Sequence, residues 1–378
     1  MFPATVFITC SQGLEPLLEE ELNEMGFHQV KAGFRGVYVS NVDLNGIYRL
    51  NYLSRIGGRV LLPLAEFNCY DQKALYQGVS RVDWKRYLHS NRTFAIDANV
   101  SHRQLKNSHY AALLAKDAIC DQLRDKTGKR PNIEVKDPDV QLNLFIHEKH
   151  AVIALDTSGA PLYKRGYRMQ SVEAPMQESL AAALLRLAKY SEEEVTIDTC
   201  CGSGTLLIEA ALIATNTAPG FLRTTWGFFN LPEFSQMDWL KVKNEADGKR
   251  KVMPKGRLLG LDVNLASVHA TKVNARAAGM HPYIECIQTD FREYTPTIAH
   301  SFLITNPSHG NRLDETERLK PLYRALGDFM KRQLGVPSRG FVFTANLDLA
   351  KEVGLAPKKR HVLSQSGEEC RFLEFDLF

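Results

Sequence analysis

Apolar positions repeat in two different ways along the chain. In the amino-terminal part, Leu14, Leu17, Leu18, Leu22 and Met25 fall on one helical face, with Glu19, Glu20 and Glu21 mostly opposite and Gly26 as the stop. That helix follows a strand-like run at 5–10 and precedes one at 36–40. A helix is expected at 44–53, and a second unit begins near the apolar run 59–67. Residues 94–100 and 140–146 alternate as half-buried strands do, a helix is expected at 111–124 between them, and 151–155 closes the set. Small α+β units are therefore expected here.

From residue 195 the rhythm becomes short buried strands that end in a polar side chain. Val195-Thr196-Ile197 runs into Asp198-Thr199-Cys200-Cys201-Gly202-Ser203-Gly204-Thr205, which opens an apolar helix over 206–214. Residues 258–261 lead to Asp262, 283–288 lead to Thr289-Asp290, and 302–305 lead to Asn306-Pro307-Ser308-His309-Gly310. Four strands with polar tips and intervening helices predict a doubly wound α/β sheet with a ligand crevice along its carboxyl edge. A Gly-x-Gly turn alone serves tight packing as readily as ligand approach. Asp262 lies ~60 residues beyond the turn, whereas a dinucleotide site places its ribose acid at about 20. A long insertion or a different cofactor follows, and 219–255, with Trp226, Trp239 and Lys249-Arg250-Lys251, is read as that insertion.

The tips carry a family resemblance. Asp198 with its glycine turn, Asp262, Asp290 and Asn306-Pro307 resemble the S-adenosylmethionine (SAM) site of class I methyltransferases that modify an exocyclic amino group of a nucleic acid base. Further motifs are Gly13-Leu14-Glu15-Pro16, Asn107-Ser108-His109-Tyr110, Arg130-Pro131-Asn132, 155–159, Lys164-Arg165-Gly166-Tyr167-Arg168, Glu173-Ala174-Pro175, Ala218-Pro219-Gly220, Trp226-Gly227-Phe228 and Gly367-Glu368-Glu369-Cys370. With these, nearly the whole chain resembles the THUMP-containing RNA guanine-N2 methyltransferases.

The resemblance implies a Rossmann-like methyltransferase domain over 161–378, preceded by a ferredoxin-like region over 1–54 and a THUMP RNA-binding domain over 55–160. It implies SAM as cofactor and S-adenosylhomocysteine (SAH) as product, held by Asp198, Cys201, Gly202, Gly204, Thr205, Asp262, Asp290 and Asn306. The glycine turn would face the methionine part, Asp262 the ribose hydroxyls and Asp290 the adenine amino group. Asn306, Pro307 and His309 would meet the target base, and Lys164, Arg165, Arg168 and Arg312 would contact RNA. The implied partner is RNA, ribosomal before transfer RNA.

The family pattern Asn-Pro-Pro-Tyr-Gly reads Asn306-Pro307-Ser308-His309-Gly310 here. Losing the second proline frees a backbone angle, and imidazole offers a smaller stacking face than phenol. His309 is read as the stacking residue; a weakly active site is the competing reading. Thr199 replaces the proline usual after the first acid.

Composition adds limits. The 378 residues are 44% apolar, enough for two or three ordinary cores, and the net charge of +4 allows an anionic partner without requiring one. Seven cysteines show no Cys-x-x-Cys spacing, so reduced thiols are expected, with Cys200 and Cys201 as small packed residues rather than nucleophiles. His281, His300 and His361 are scattered, so no metal site is expected. No leader pattern and no long apolar run appears, which points to the cytoplasm and away from membranes. His102, Arg103, Lys106, Lys126, Lys129 and Arg130 fit either phosphate contacts or a solvated surface. An enzyme methylating guanine N2 leads; adenine-N6 methylation, transfer RNA methylation and a non-catalytic RNA-binding protein are the alternatives.

Overall fold

The computed structural model describes residues 2–378 apart from 90–91, 174, 297–300, 311–312 and 366. Arg312, Asn311, His300 and Ala174 of the sequence reading lie outside the described residues. Two compact units emerge, one formed by 1–10, 19–162 and 223–244, the other by 11–18, 163–222 and 245–378.

The first unit is built on an eight-stranded sheet. Its strands are β1 (Ala4–Thr9), β2 (Val30–Gly33), β3 (Gly36–Val42), β4 (Val60–Asn68), β5 (Thr93–Ser101), β6 (Asn132–Ile133), β7 (Val140–His147) and β8 (His150–Asp156), in the order β2-β3-β1-β4-β8-β7-β5-β6. Helices α1 (Glu15–Glu24), α2 (Leu44–Leu53), α3 (Gln72–Val79) and α4 (Ser108–Thr127) belong to the same stretch of chain. Strand β4 fuses the two α+β patterns, pairing with β1 at Ile8↔Val60 and with β8 from Leu61↔Asp156 onward. The alternation in β7 is real: Val140, Leu142, Leu144 and Ile146 are buried while their neighbours are not.

Within the stretch 219–255 read as an insertion between α6 (Thr205–Ala214) and β10 (Leu258–Asp262), residues 223–244 cluster with the first unit rather than with the methyltransferase sheet. They bring Trp226, Phe228, Phe234 and Trp239 against Tyr48 and Tyr52 of α2, with ring centroids 4.8 Å apart for Tyr48–Phe228 and 5.3 Å for Tyr52–Trp239. The Tyr48 hydroxyl accepts from the Ser235 amide at 3.0 Å, and burial pushes its pKa up, making the phenol a weaker acid. Several large aromatic side chains in so short a segment must find a partner surface, and α2 supplies it. Helix α7 (Gln236–Asp247) carries Trp239.

The second unit holds a seven-stranded sheet of β9 (Val195–Asp198), β10 (Leu258–Asp262), β11 (Ile284–Gln288), β12 (Ser301–Thr305), β13 (Ser338–Thr344), β14 (Lys359–Gln365) and β15 (Glu368–Leu377), ordered β11-β10-β9-β12-β13-β15-β14. The first five of that order run parallel; β15 runs antiparallel to both its neighbours, β13 and β14. Helices α5 (Glu178–Leu187), α6 (Thr205–Ala214), α8 (Leu265–Ala277), α9 (Leu313–Arg332) and α10 (Leu347–Glu352) complete it. The chain starts the sheet at β9 in the middle, adds β10 and β11 on one side, then crosses to β12 and β13. The four expected polar tips therefore stand on four adjacent parallel strands, at the topological switch point where an open α/β sheet binds its ligand. Under this edge lies a core of Ile197, Leu261, Leu303, Tyr323, Leu326 and Phe375.

Candidate active site

Strand β9 delivers Asp198, 2% exposed, to the edge of the sheet. Its Oδ1 accepts from the Thr305 hydroxyl at 2.8 Å and the Cys200 amide at 3.1 Å. Thr199 in turn donates to Thr305 at 3.2 Å, so the residue in place of the usual proline joins the tips of β9 and β12. Burial pushes the Asp198 carboxyl up to about 7 against these two hydrogen bonds, because removal from water penalises the charged form.

The following turn needs its glycines. Gly202 and Gly204 have φ of +54° and +80°, and a Cβ on Gly204 would stand 2.7 Å from Thr271 Cγ2. The turn is fixed from three sides. The Gly202 amide donates to Asp262 Oδ2 at 3.0 Å, the Thr271 hydroxyl donates to the Gly202 carbonyl at 2.9 Å, and Asn274 Nδ2 donates to the Ser203 carbonyl at 3.0 Å. Helix α6 starts at Thr205 without a side-chain cap, leaving its first amides to a ligand or water.

Asp262 also accepts from the Asn264 amide at 2.9 Å, and its half-buried carboxylate keeps lone pairs for a further donor. Asp290 accepts from Arg292 Nε at 2.8 Å and from its amide at 3.0 Å, and the guanidinium holds the carboxyl below its ordinary range. Cys201 is buried with its Sγ 3.6 Å from Cys286 Sγ and 3.7 Å from the Thr271 hydroxyl. Contact with Cys286, then burial, keep its thiol protonated, so it packs the turn.

At the tip of β12, Asn306 Oδ1 is buried and has no hydrogen-bond partner among the described residues, and the same holds for His309 Nδ1. Pro307 is buried and Ser308 exposed. The loop is tethered rather than loose. Asn346, at the start of α10, donates from Nδ2 to the His309 carbonyl at 3.1 Å and to the Thr316 hydroxyl at 3.0 Å. Its Oδ1 caps α10 by accepting from the Asp348 and Leu349 amides. An open cavity of about 410 Å³ lies beside this loop, lined by Gly310, Asn346, Leu347, Glu368 and Glu369. Asn346 escaped the sequence reading, although Asn before Leu-Asp-Leu is a recognisable helix start.

Sequence-similarity comparisons agree with this layout. Residues 165–370 match the family model described as RMKL-like, methyltransferase domain. The chain belongs to the RMKL-like methyltransferase family. Residues 69–156 match a THUMP domain and 5–61 the RlmL ferredoxin-like domain. The "Ribosomal RNA large subunit methyltransferase K/L" of Syntrophotalea carbinolica is 36% identical over 99% of this chain and 54% of its own length. The chain thus spans about half the length of such curated relatives. A Synechocystis sp. protein provisionally named an RNA methyltransferase, slr0064, is 34% identical over 98% of this chain and 96% of its own. Among solved structures, SMU.472, provisionally a methyltransferase and complexed with SAH, has 26% identity and a TM-score of 0.87 over 98% of this chain and 97% of that one.

An RMKL-like domain of class I takes its methyl group from SAM, and the residues present fit that cofactor. The glycine turn leaves a cradle without side chains, and the α6 start has no side-chain cap on its amides. Among the described residues no cluster of three or more His, Cys, Asp or Glu side chains could hold a metal, and no helix is long and apolar enough to cross a membrane.

The basic residues need correction. Arg165 was read as an RNA contact, but it is 1% exposed and lies 3.5 Å from Glu209, which is 0% exposed. Tyr167 joins them, donating to Glu209 at 3.0 Å. Arg168 is likewise turned inward, bonded to Glu178 Oε1 at 3.0 Å, Ser203 Oγ at 2.9 Å, Thr205 Oγ1 at 3.0 Å and the Met176 carbonyl at 2.7 Å. A buried carboxylate on an otherwise apolar helix demands a cation, and sequence alone does not show that Glu209 is one. Lys164 is exposed. Of the amino-terminal basic residues, Lys126 pairs with Asp83 at 2.8 Å and Arg130 with Asp121 at 2.6 Å.

Proposed function

We propose that the chain is a SAM-dependent RNA methyltransferase that forms N2-methylguanosine in large-subunit (23S) ribosomal RNA in the cytoplasm, with sequence domains over 1–54, 55–160 and 161–378, of which residues 223–244 pack with the first unit. The observation that carries this reading is the buried, unpartnered Oδ1 of Asn306 at the tip of the strand next to the glycine turn. A buried acceptor without a donor costs about 1–3 kcal/mol, and an exocyclic amino group would supply the donor. The amino lone pair of guanine is delocalised into the ring, so the base is a weak nucleophile. SAM supplies a methyl group already activated by positive charge.

The chain's own task is placement. Asn306 would accept from the amino group and aim its nitrogen toward the glycine turn, where Asp198, Asp262 and Asp290 border the cofactor. Alignment of this kind contributes up to roughly 7–11 kcal/mol in well-oriented systems. Pro307 holds Asn306 extended, Asn346 anchors the His309 carbonyl, and the His309 ring would stack on the extruded base. Lys164 and Arg312 remain the proposed RNA contacts of the methyltransferase half.

The test is transfer of labelled methyl from SAM to RNA of a strain lacking the gene, followed by nucleoside analysis. N2-methylguanosine in ribosomal RNA supports the proposal. The same product in transfer RNA moves the substrate, N6-methyladenosine moves the base, and binding without product favours a non-catalytic role. Asn306→Ala is expected to abolish transfer with SAH affinity within a few fold; a fully active variant overturns the assignment of the base pocket.

A further inference from the structure

Residues 168–177, between the buried Tyr167 and helix α5, contain no regular secondary structure among those described. Yet this segment lies against the cofactor turn. Val172 Cγ2 stands 3.6 Å from where a Cβ on Gly202 would be. Its two anchors are side chains. Arg168 at its start reaches forward to Ser203 and Thr205 and back to Glu178 and the Met176 carbonyl, closing the segment into a loop. The second anchor comes from outside it. Asn274 of α8, 0% exposed, accepts at Oδ1 from the Met169 amide at 2.9 Å and the Gln170 amide at 3.0 Å. Its Nδ2 donates to the Gln170 carbonyl at 2.8 Å and to the Ser203 carbonyl at 3.0 Å. One carboxamide thus uses both donors and both acceptor lone pairs, three bonds on the strap and one on the glycine turn.

We propose that Asn274 is a positioning residue for the cofactor, clamping the 168–172 strap onto the Gly202–Gly204 turn so that the wall over the methionine part of the site is formed before the ligand arrives. The proposal rests on the SAM reading of that turn. Asn274 touches neither cofactor nor base in this arrangement; it acts through the backbone of Met169, Gln170 and Ser203. No charged group substitutes for it. A carboxylate there would lose both donors, and an alanine would leave two strap amides and two carbonyls without their partner. A preformed wall spares the ligand the cost of ordering the strap, so its loss appears as weaker binding rather than as failed chemistry.

The test uses the full chain and SAH as probe. In Asn274→Ala, calorimetry is expected to show the SAH dissociation constant raised at least tenfold, with hydrogen exchange accelerated at 168–173 and unchanged in β12 and β13. A variant that melts earlier but binds SAH as the parent does overturns the clamp and leaves the cofactor site standing. Failure of the parent chain itself to bind SAH sinks the cofactor reading and the clamp with it. Should the variant not fold, the parent protein decides. The Met169 and Gln170 amides are expected to exchange slowly without ligand, and unprotected exchange there overturns the proposal.

Discussion

Burial holds the Asp198 carboxyl near 7 in the native chain, against about 3.9 for an unfolded aspartate. Between those values the native state keeps a proton that the unfolded state has released, so this residue's contribution to stability falls as pH rises from about 4 to about 7 and stays low above. Asp198→Asn keeps an acceptor for Thr305 and the Cys200 amide while removing the charge. The substitution is expected to stabilise the chain by up to about 4 kcal/mol at pH 8 and by little at pH 4. Thermal melts of both proteins at the two pH values check it; an equal shift at both would mean that Asp198 is ionised throughout. Asp198 and Asp262 were legible because each ends a short apolar run and needs no distant information. Asn274 was not. Its partners Met169 and Ser203 lie 105 and 71 residues away, and nothing local separates it from a solvated helix residue.

At the scale of elements, β9 to β12 announced themselves through apolar runs with polar tips, whereas β14 fully buries only Leu363 and gives too weak an alternation to read. The segment 164–168 shows the same limit. Its basic and aromatic side chains look like an RNA grip, yet Arg165 and Tyr167 face the buried Glu209 of α6. Arg165→Ala removes the cation from that carboxylate, a class of change that costs about 3–5 kcal/mol. Lys164→Ala is expected to leave the melting temperature unchanged and to weaken RNA binding, more at low salt than at high. Melting and filter binding on the two variants separate these roles; a stable Arg165→Ala chain with weakened RNA binding would restore the original reading. The Asn346 cap belongs here too. Asn346→Ala should cost about 1 kcal/mol as a lost cap and lower methyl transfer at constant SAH affinity, since it frees the His309 carbonyl rather than the glycine turn. Unchanged transfer rates would show that the loop holds its form without the tether.

Across the whole molecule, the division into units follows burial rather than chain order. Residues 223–244 sit between two elements of the methyltransferase sheet in sequence but join the amino-terminal sheet in space, because Trp226, Phe228 and Trp239 find their partners on α2. No periodicity within the segment carries that information; the complement, Tyr48 and Tyr52, lies more than 170 residues earlier. The energetic effect of the segment is therefore expected to be local to the first unit. Trp239, 4% exposed, packs edge-on against both tyrosines. Trp239→Ala is expected to cost about 3–5 kcal/mol and to accelerate hydrogen exchange in α2 and in 223–244, while β9, β10 and β12 keep their protection and SAH binds with unchanged affinity. Faster exchange along β9 to β12 with α2 unaffected would instead return the segment to the methyltransferase unit. The variant tests a packing claim with a readout on each side of the division, so a general loss of stability cannot pass for either answer.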